Sequence, residues 1–292
     1  MPRPVFPSYA PLLLATSLLL GGCSTSQLVA RGASPLIDHG VAAMNRETDL
    51  ELARASIPAN LKMIEALLLA DPGNVAYRVQ AATGFHGYAL GFVEPDDPDR
   101  AIALYRRAHE HARVALERAG ISSATLMGDK AALQQSLAKL DARAVPALFW
   151  TAATWAKWIE LQLDNPERLD ELPRVEYLMQ RVLTLDETYY YAGAHVFFGV
   201  YYGSRPPMFG GDYVRSAHHF DRAASLNRNQ LQLVEVYRAR YLLRQMGERE
   251  AFHAALSRVL DAPASPDPEL NLANALAKKQ AADLLSQEEE LF

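Results

Sequence analysis

Between residues 199 and 212 the chain reads Gly-Val-Tyr-Tyr-Gly-Ser-Arg-Pro-Pro-Met-Phe-Gly-Gly-Asp, and no other stretch limits the fold as much. Pro206 and Pro207 remove two consecutive backbone donors, while Gly210 and Gly211 permit backbone angles closed to other residues. The segment therefore interrupts helix and sets the angle between the elements it joins. Asp212 is placed to cap the next helix.

Around this joint the pattern is helical throughout. From Pro35 onward apolar residues recur at three and four, and no alternating run is long enough for a strand, which predicts an all-α domain over 35–292. Four segments share an i, i+4, i+7 core: Ala101, Tyr105 and Ala108; Val175, Met179 and Val182; Ser216, Phe220 and Ala223; Phe252, Leu256 and Val259. Each comes after a longer, aromatic-rich helical pattern, at 75–92, 147–163, 189–202 and 230–246. Central residues 41 and 36 apart (220 minus 179, 256 minus 220) predict TPR-like helix pairs forming a compact superhelix. Residues 130–140 form an extra helix, and a last helix over 268–285 is expected to cover the final apolar face.

The N-terminus carries an address. Arg3 precedes an apolar run from Ala10 to Leu20, too short to span a bilayer and flanked as a cleaved signal over residues 1–22 is flanked. Leu20-Gly21-Gly22-Cys23 is similar to a bacterial lipobox, in which the cysteine becomes the acylated first residue. Cys23 is the only cysteine, which excludes an intramolecular disulfide. Residues 23–34 read as a flexible tether to a lipid anchor, so the protein is expected to lie on a membrane without crossing it. Ser24, where Asp would signal retention at the inner membrane, points to the outer one. Loss of the Arg3 charge takes the formal net charge from -5 to -6, which excludes a nucleic-acid grip.

Chemistry is thin. His218 and His219 are adjacent and point about 100° apart on a helix, and His109 and His111 are two apart on different faces, so neither pair reads as a metal site. Glu94 to Asp99 holds four carboxylates in six residues but lacks the spacing of a calcium loop and reads as a solvated turn. Ser136 and Lys139 match Ser-x-x-Lys without its companion motifs, and no nucleophile elbow occurs. The chain is therefore read as no enzyme, with no metal and no cofactor.

Aromatic content is the remaining signal. So many rings on two helices exceed what one thin interface holds, so they divide between core and the wall of an apolar channel. The candidate lining residues are Trp150, Trp155, Trp158, Tyr189, Tyr190, Phe197, Tyr201 and Tyr202, with Arg205, Met208 and Phe209 at the rim. Arg205 has two readings: a carboxylate clamp at the channel mouth, or a tie to the carbonyls of its own loop.

The run Val145-Pro-Ala-Leu-Phe-Trp150, then Trp155-Ala-Lys-Trp158, Gly193 through Gly211, Ala217-His-His-Phe220 and Asn271-Leu-Ala-Asn-Ala through Phe292 resemble the TRAP transporter T-component family. The resemblance covers residue 36 to the end, and Arg-Pro-Pro-x-x-Gly-Gly is its most specific part; Phe209 departs from a more usual aliphatic residue. It implies a periplasmic, lipid-anchored, all-helical protein, a homotrimer with an apolar channel in each subunit, partnering a TRAP-type periplasmic solute-binding protein. It carries over no catalytic residue and names no ligand. The rival reading is a TPR-type lipoprotein scaffold whose concave face holds an envelope protein.

Overall fold

Residues 25–292 are described by a computed structural model, and every regular element among them is helical. The signal and Cys23 lie outside the described residues. The segment expected as a tether is helical from Thr25 on. Helix α1 (Thr25–Gly32) buries Ala30, whose carbonyl accepts a hydrogen bond from Tyr77 Oη at 2.5 Å, and Arg31 pairs with Asp71 at 2.9 Å.

The four core triads each anchor one helix pair. Helix α2 (Ser34–Asn45) leads into α3 (Leu50–Ala70), capped by Asp49. Helix α4 (Val75–Tyr88) continues through a π-helical turn (Ala89–Val93) and packs on α5 (Pro98–Arg118). After the short α6 (Ser123–Met127) and α7 (Lys130–Leu137), α8 (Val145–Glu160) pairs with α9 (Pro166–Leu185), and α10 (Tyr189–Gly203) with α11 (Tyr213–Leu226). Helix α12 (Leu233–Arg238) runs on through a second π turn (Ala239–Leu243) and a last turn (Arg244–Met246) to pack on α13 (Arg249–Asp261). Side-chain caps mark the starts: Asn74, Asp97, Asn165 and Asp212 each accept a first-turn backbone N–H.

All twelve triad residues are fully buried. The pairs also stack, α5 lying against α8 as well as α4, so that one core grades into the next. Helix α14 (Asn271–Ser286) buries Ala277 and Ala281 against α12 and α13, then reaches α2 and α3. Arg46 and Asn45 both bond Glu269, and Asn271 donates to the Arg46 carbonyl. These contacts tie the end of α2 to the start of α14.

The helix before the joint extends to Gly203, four residues beyond the start of the Gly-rich stretch. Its glycines serve close packing. A Cβ on Gly199 would lie 2.8 Å from the Phe220 ring, and one on Gly203 2.6 Å from Ser216 Oγ, so α11 seats directly on α10. Ser216 Oγ donates to the Gly199 carbonyl at 2.7 Å. The loop then makes a single 3-10 turn (Pro207–Phe209) before Asp212 N donates to the Tyr202 carbonyl at 2.9 Å.

Candidate functional site

The helices line a cavity of about 1660 Å³ that opens to solvent. Its walls are mainly apolar: Ile37 and Leu61 from α2 and α3, His86 and the Leu90–Phe92 turn from α4, Phe149, Trp150 and Ala153 from α8, and Leu272 and Leu276 from α14. Helix α10 contributes Tyr189, Tyr190, Val196, Phe197 and Tyr201. Tyr190 meets Trp150 edge to face with ring centroids 4.7 Å apart, and Phe197 stacks on Tyr201 at 5.7 Å.

The start of α10 is not right-handed. Tyr190, Tyr191 and Ala192 have φ of 49°, 57° and 64°, three consecutive left-handed residues without a glycine. Such residues cost about 1–2 kcal/mol each, so the surroundings must over-determine the turn. Ala192 N donates to the Thr188 carbonyl at 3.0 Å, Tyr191 Oη to Asp267 at 3.4 Å, and the Tyr190 ring is held against Phe149 and Trp150. The turn sends Tyr189, Tyr190 and Tyr191 to the cavity together.

One part of the wall is charged. Lys157 Nζ donates to Glu94 Oε1 at 2.8 Å and to Glu160 Oε2 at 2.9 Å, while Tyr241 Oη donates to Glu160 Oε1 at 2.7 Å and Tyr105 to Glu94. Burial disfavours the charged lysine, but Glu160, Tyr241, Tyr105 and Glu94 outweigh it and hold Lys157 well above the ordinary lysine value. Burial likewise opposes ionisation of Glu160, yet Lys157 carries it below its ordinary value. Burial above all pushes Tyr237, on the same wall, up to about 12 and His86 down to about 3, and the His86 Nδ1 has no partner. Both π turns among the described residues border this cluster: one ends at Glu94, the other carries Arg240 and Tyr241. An inserted residue rotates the rest of a helix about its axis, and here that rotation delivers charge to an apolar cavity.

The profile of the TRAP transporter T-component family matches residues 46–292. The chain belongs to this family. An uncharacterised protein of Treponema pallidum (strain Nichols) is 24% identical over 312 aligned residues, covering 95% of each chain. As a T-component the protein is an accessory of a transport system, and no helix among the described residues is long and apolar enough to cross a membrane.

The T-component fold divides the residues singled out in the sequence. Trp150, Tyr189, Tyr190, Phe197, Tyr201 and Arg205 border the cavity. Trp155 does not: it is 1% exposed, and its indole donates to Glu171 at 2.8 Å on the opposite face of α8. Trp158 bridges two cores beneath the Arg168 guanidinium, and Tyr202 turns away to stack on Phe198 and His219. Met208 and Phe209 are 81% and 68% exposed on the outer loop, away from the cavity. Arg205 stacks on Tyr201, 4.3 Å from the ring centroid, and its buried Nε has no partner, so it does not tie its own loop by that atom.

Glu94 corrects the solvated-turn reading, since its side chain is 11% exposed and paired. Ser136 donates to the Ala132 carbonyl of its own helix at 2.9 Å and forms no pair with Lys139. His219 bonds not its neighbour but His195, at 2.9 Å, and His195 in turn contacts Glu187. Spacing and motif reasoning miss Lys157, Glu160, Arg240 and Tyr241 altogether. The only signal for them is charge interrupting otherwise apolar helix faces.

Proposed function

We propose that the protein is a lipid-anchored periplasmic accessory of a TRAP-type transporter, which docks the system's solute-binding protein and holds or passes an apolar or amphipathic small molecule through its aromatic-lined cavity. The cavity of about 1660 Å³ carries this reading, because it exceeds the roughly 300–1000 Å³ of ordinary ligand pockets in a fold that could have filled the space with side chains. The anchor is acyl-Cys23 on the outer membrane, the helix pairs act as TPR-like repeats, and the working unit is a homotrimer. The Met208 and Phe209 loop belongs to the docking surface rather than to the channel wall.

Native mass spectrometry of the acyl-free protein purified from its host, together with pull-down by the anchored form, tests this. The expected outcome is a trimer that retains a small molecule and captures a TRAP-type solute-binding protein. Capture of envelope-assembly proteins with no retained small molecule would favour a scaffold instead.

A further inference from the structure

The charged part of the cavity wall holds two cations, and only one of them is paired. Lys157 has two carboxylates. Arg240, on the second π turn, has no hydrogen bond or ion pair among the described residues, although it borders the cavity with its side chain exposed. Its guanidinium lies over Tyr241, 5.3 Å from the ring centroid. The neighbouring carboxylate does not engage it, since both Glu160 oxygens are already taken by Lys157 and by Tyr241 Oη. Other cations on the wall differ in setting: Lys279 pairs with Asp283, Arg205 stacks on Tyr201, and Arg244, also without a bonded carboxylate among the described residues, lies one turn farther on, while Lys157 and Arg240 are the two that act on Glu160.

We propose that Arg240 is the seat of an acidic head group inside this cavity, and that the ligand is a monoanionic amphiphile, an apolar body ending in a carboxylate. This rests on the reading of the cavity as a ligand site. A guanidinium offers five N–H donors in a fork that matches a carboxylate in bidentate fashion, and beside an apolar wall unfilled donors favour an ionised acceptor. Burial opposes the charge on Arg240, but Tyr241, Glu160 and Glu94 outweigh that, so the cation persists without a ligand.

The surrounding charges select the valence. With Lys157 and Arg240 positive and Glu94 and Glu160 negative the group sums to zero. A bound carboxylate leaves -1, whereas a dianionic phosphate leaves -2 beside two carboxylates, which their repulsion disfavours. Tyr237 and Tyr190 add neutral, polarisable walls, and the apolar residues of α2, α3 and α14 have room for the body.

Calorimetry on the delipidated full chain with dodecanoate, dodecanol and dodecyl phosphate tests the assignment. Wild type is expected to bind dodecanoate about tenfold or more tighter than dodecanol, and tighter than dodecyl phosphate. Arg240→Met and the polar Arg240→Gln should abolish that preference at an unchanged melting temperature, while Arg205→Met should keep it. Equal affinity for dodecanoate and dodecanol in wild type, or a preference that survives in both Arg240 variants, overturns the seat while leaving the cavity as a site for neutral apolar ligands. Binding of no probe overturns the ligand reading of the cavity as well.

Discussion

Lys157 Nζ lies 2.8 Å from Glu94 Oε1, joining two residues 63 positions apart on α8 and at the end of the α4 π turn. The lysine is the sole cation bonded to either Glu94 or Glu160 among the described residues, so it neutralises two carboxylates at once.

Lys157→Met should therefore destabilise the protein by about 3 kcal/mol, since removing one member of a buried ion cluster strands the others. The deficit depends on pH. Stranded carboxylates have folded pKa values raised above their unfolded ones, so the loss grows as pH rises beyond about 4.5 and shrinks where they protonate. Urea denaturation at pH 5 and pH 8 should show the larger deficit at pH 8; equal deficits would show that the carboxylates are relieved by another route.

At the Pro-Pro/Gly-Gly joint the two glycines act for different reasons. Gly210 has φ of 84°, a left-handed position where alanine costs about 1–2 kcal/mol. Gly211 has no such angle, but a Cβ there would lie 1.8 Å from the Arg205 carbonyl oxygen, which is backbone and cannot turn aside. Gly211→Ala should lower the melting temperature more than Gly210→Ala. The reverse order would contradict this geometry.

Buried imidazoles should make the fold sensitive to acid. Burial lowers His86 to about 3, and His109 and His219 to about 4. The unfolded chain takes up protons near pH 6.5 while these sites resist until the lower values, so their contribution to stability is complete above about 6.5 and is lost as pH falls toward 4. His86→Phe removes one such site and an unpartnered Nδ1, and should flatten the decline by about 2 kcal/mol at pH 5. Melting temperatures from pH 7.5 to 4.5 would show it; a parallel decline in the variant would exclude His86.

Core positions were legible in the sequence because a repeating i, i+4, i+7 spacing has one physical solution. All four triads are buried, and each predicted helix over 75–92, 189–202 and 230–246 exists to within a few residues. The division of the aromatics was not legible. Trp150 and Trp155 differ by five residues, yet one faces the cavity and the other reaches Glu171 across a core. The left-handed turn at Tyr190–Ala192 contains no glycine to announce it, and the two π turns, whose extra residue rotates Arg240 and Glu94 to their positions, obey no composition rule. Glu94 read as solvent-facing because three more carboxylates fall within the next five residues, and its partner Lys157 lies 63 residues away.

A small amphipathic molecule held in the cavity is what the proposed role requires. Ala273 borders the cavity on α14 outside the hydrophobic cores, so Ala273→Trp adds a ring to the cavity space rather than to a packed core. Native mass spectrometry of wild type and Ala273→Trp, each purified from the host, measures this most directly. A retained small molecule is expected in wild type, and its loss from a variant of unchanged melting temperature. An empty wild-type protein, or equal retention in both, would contradict it.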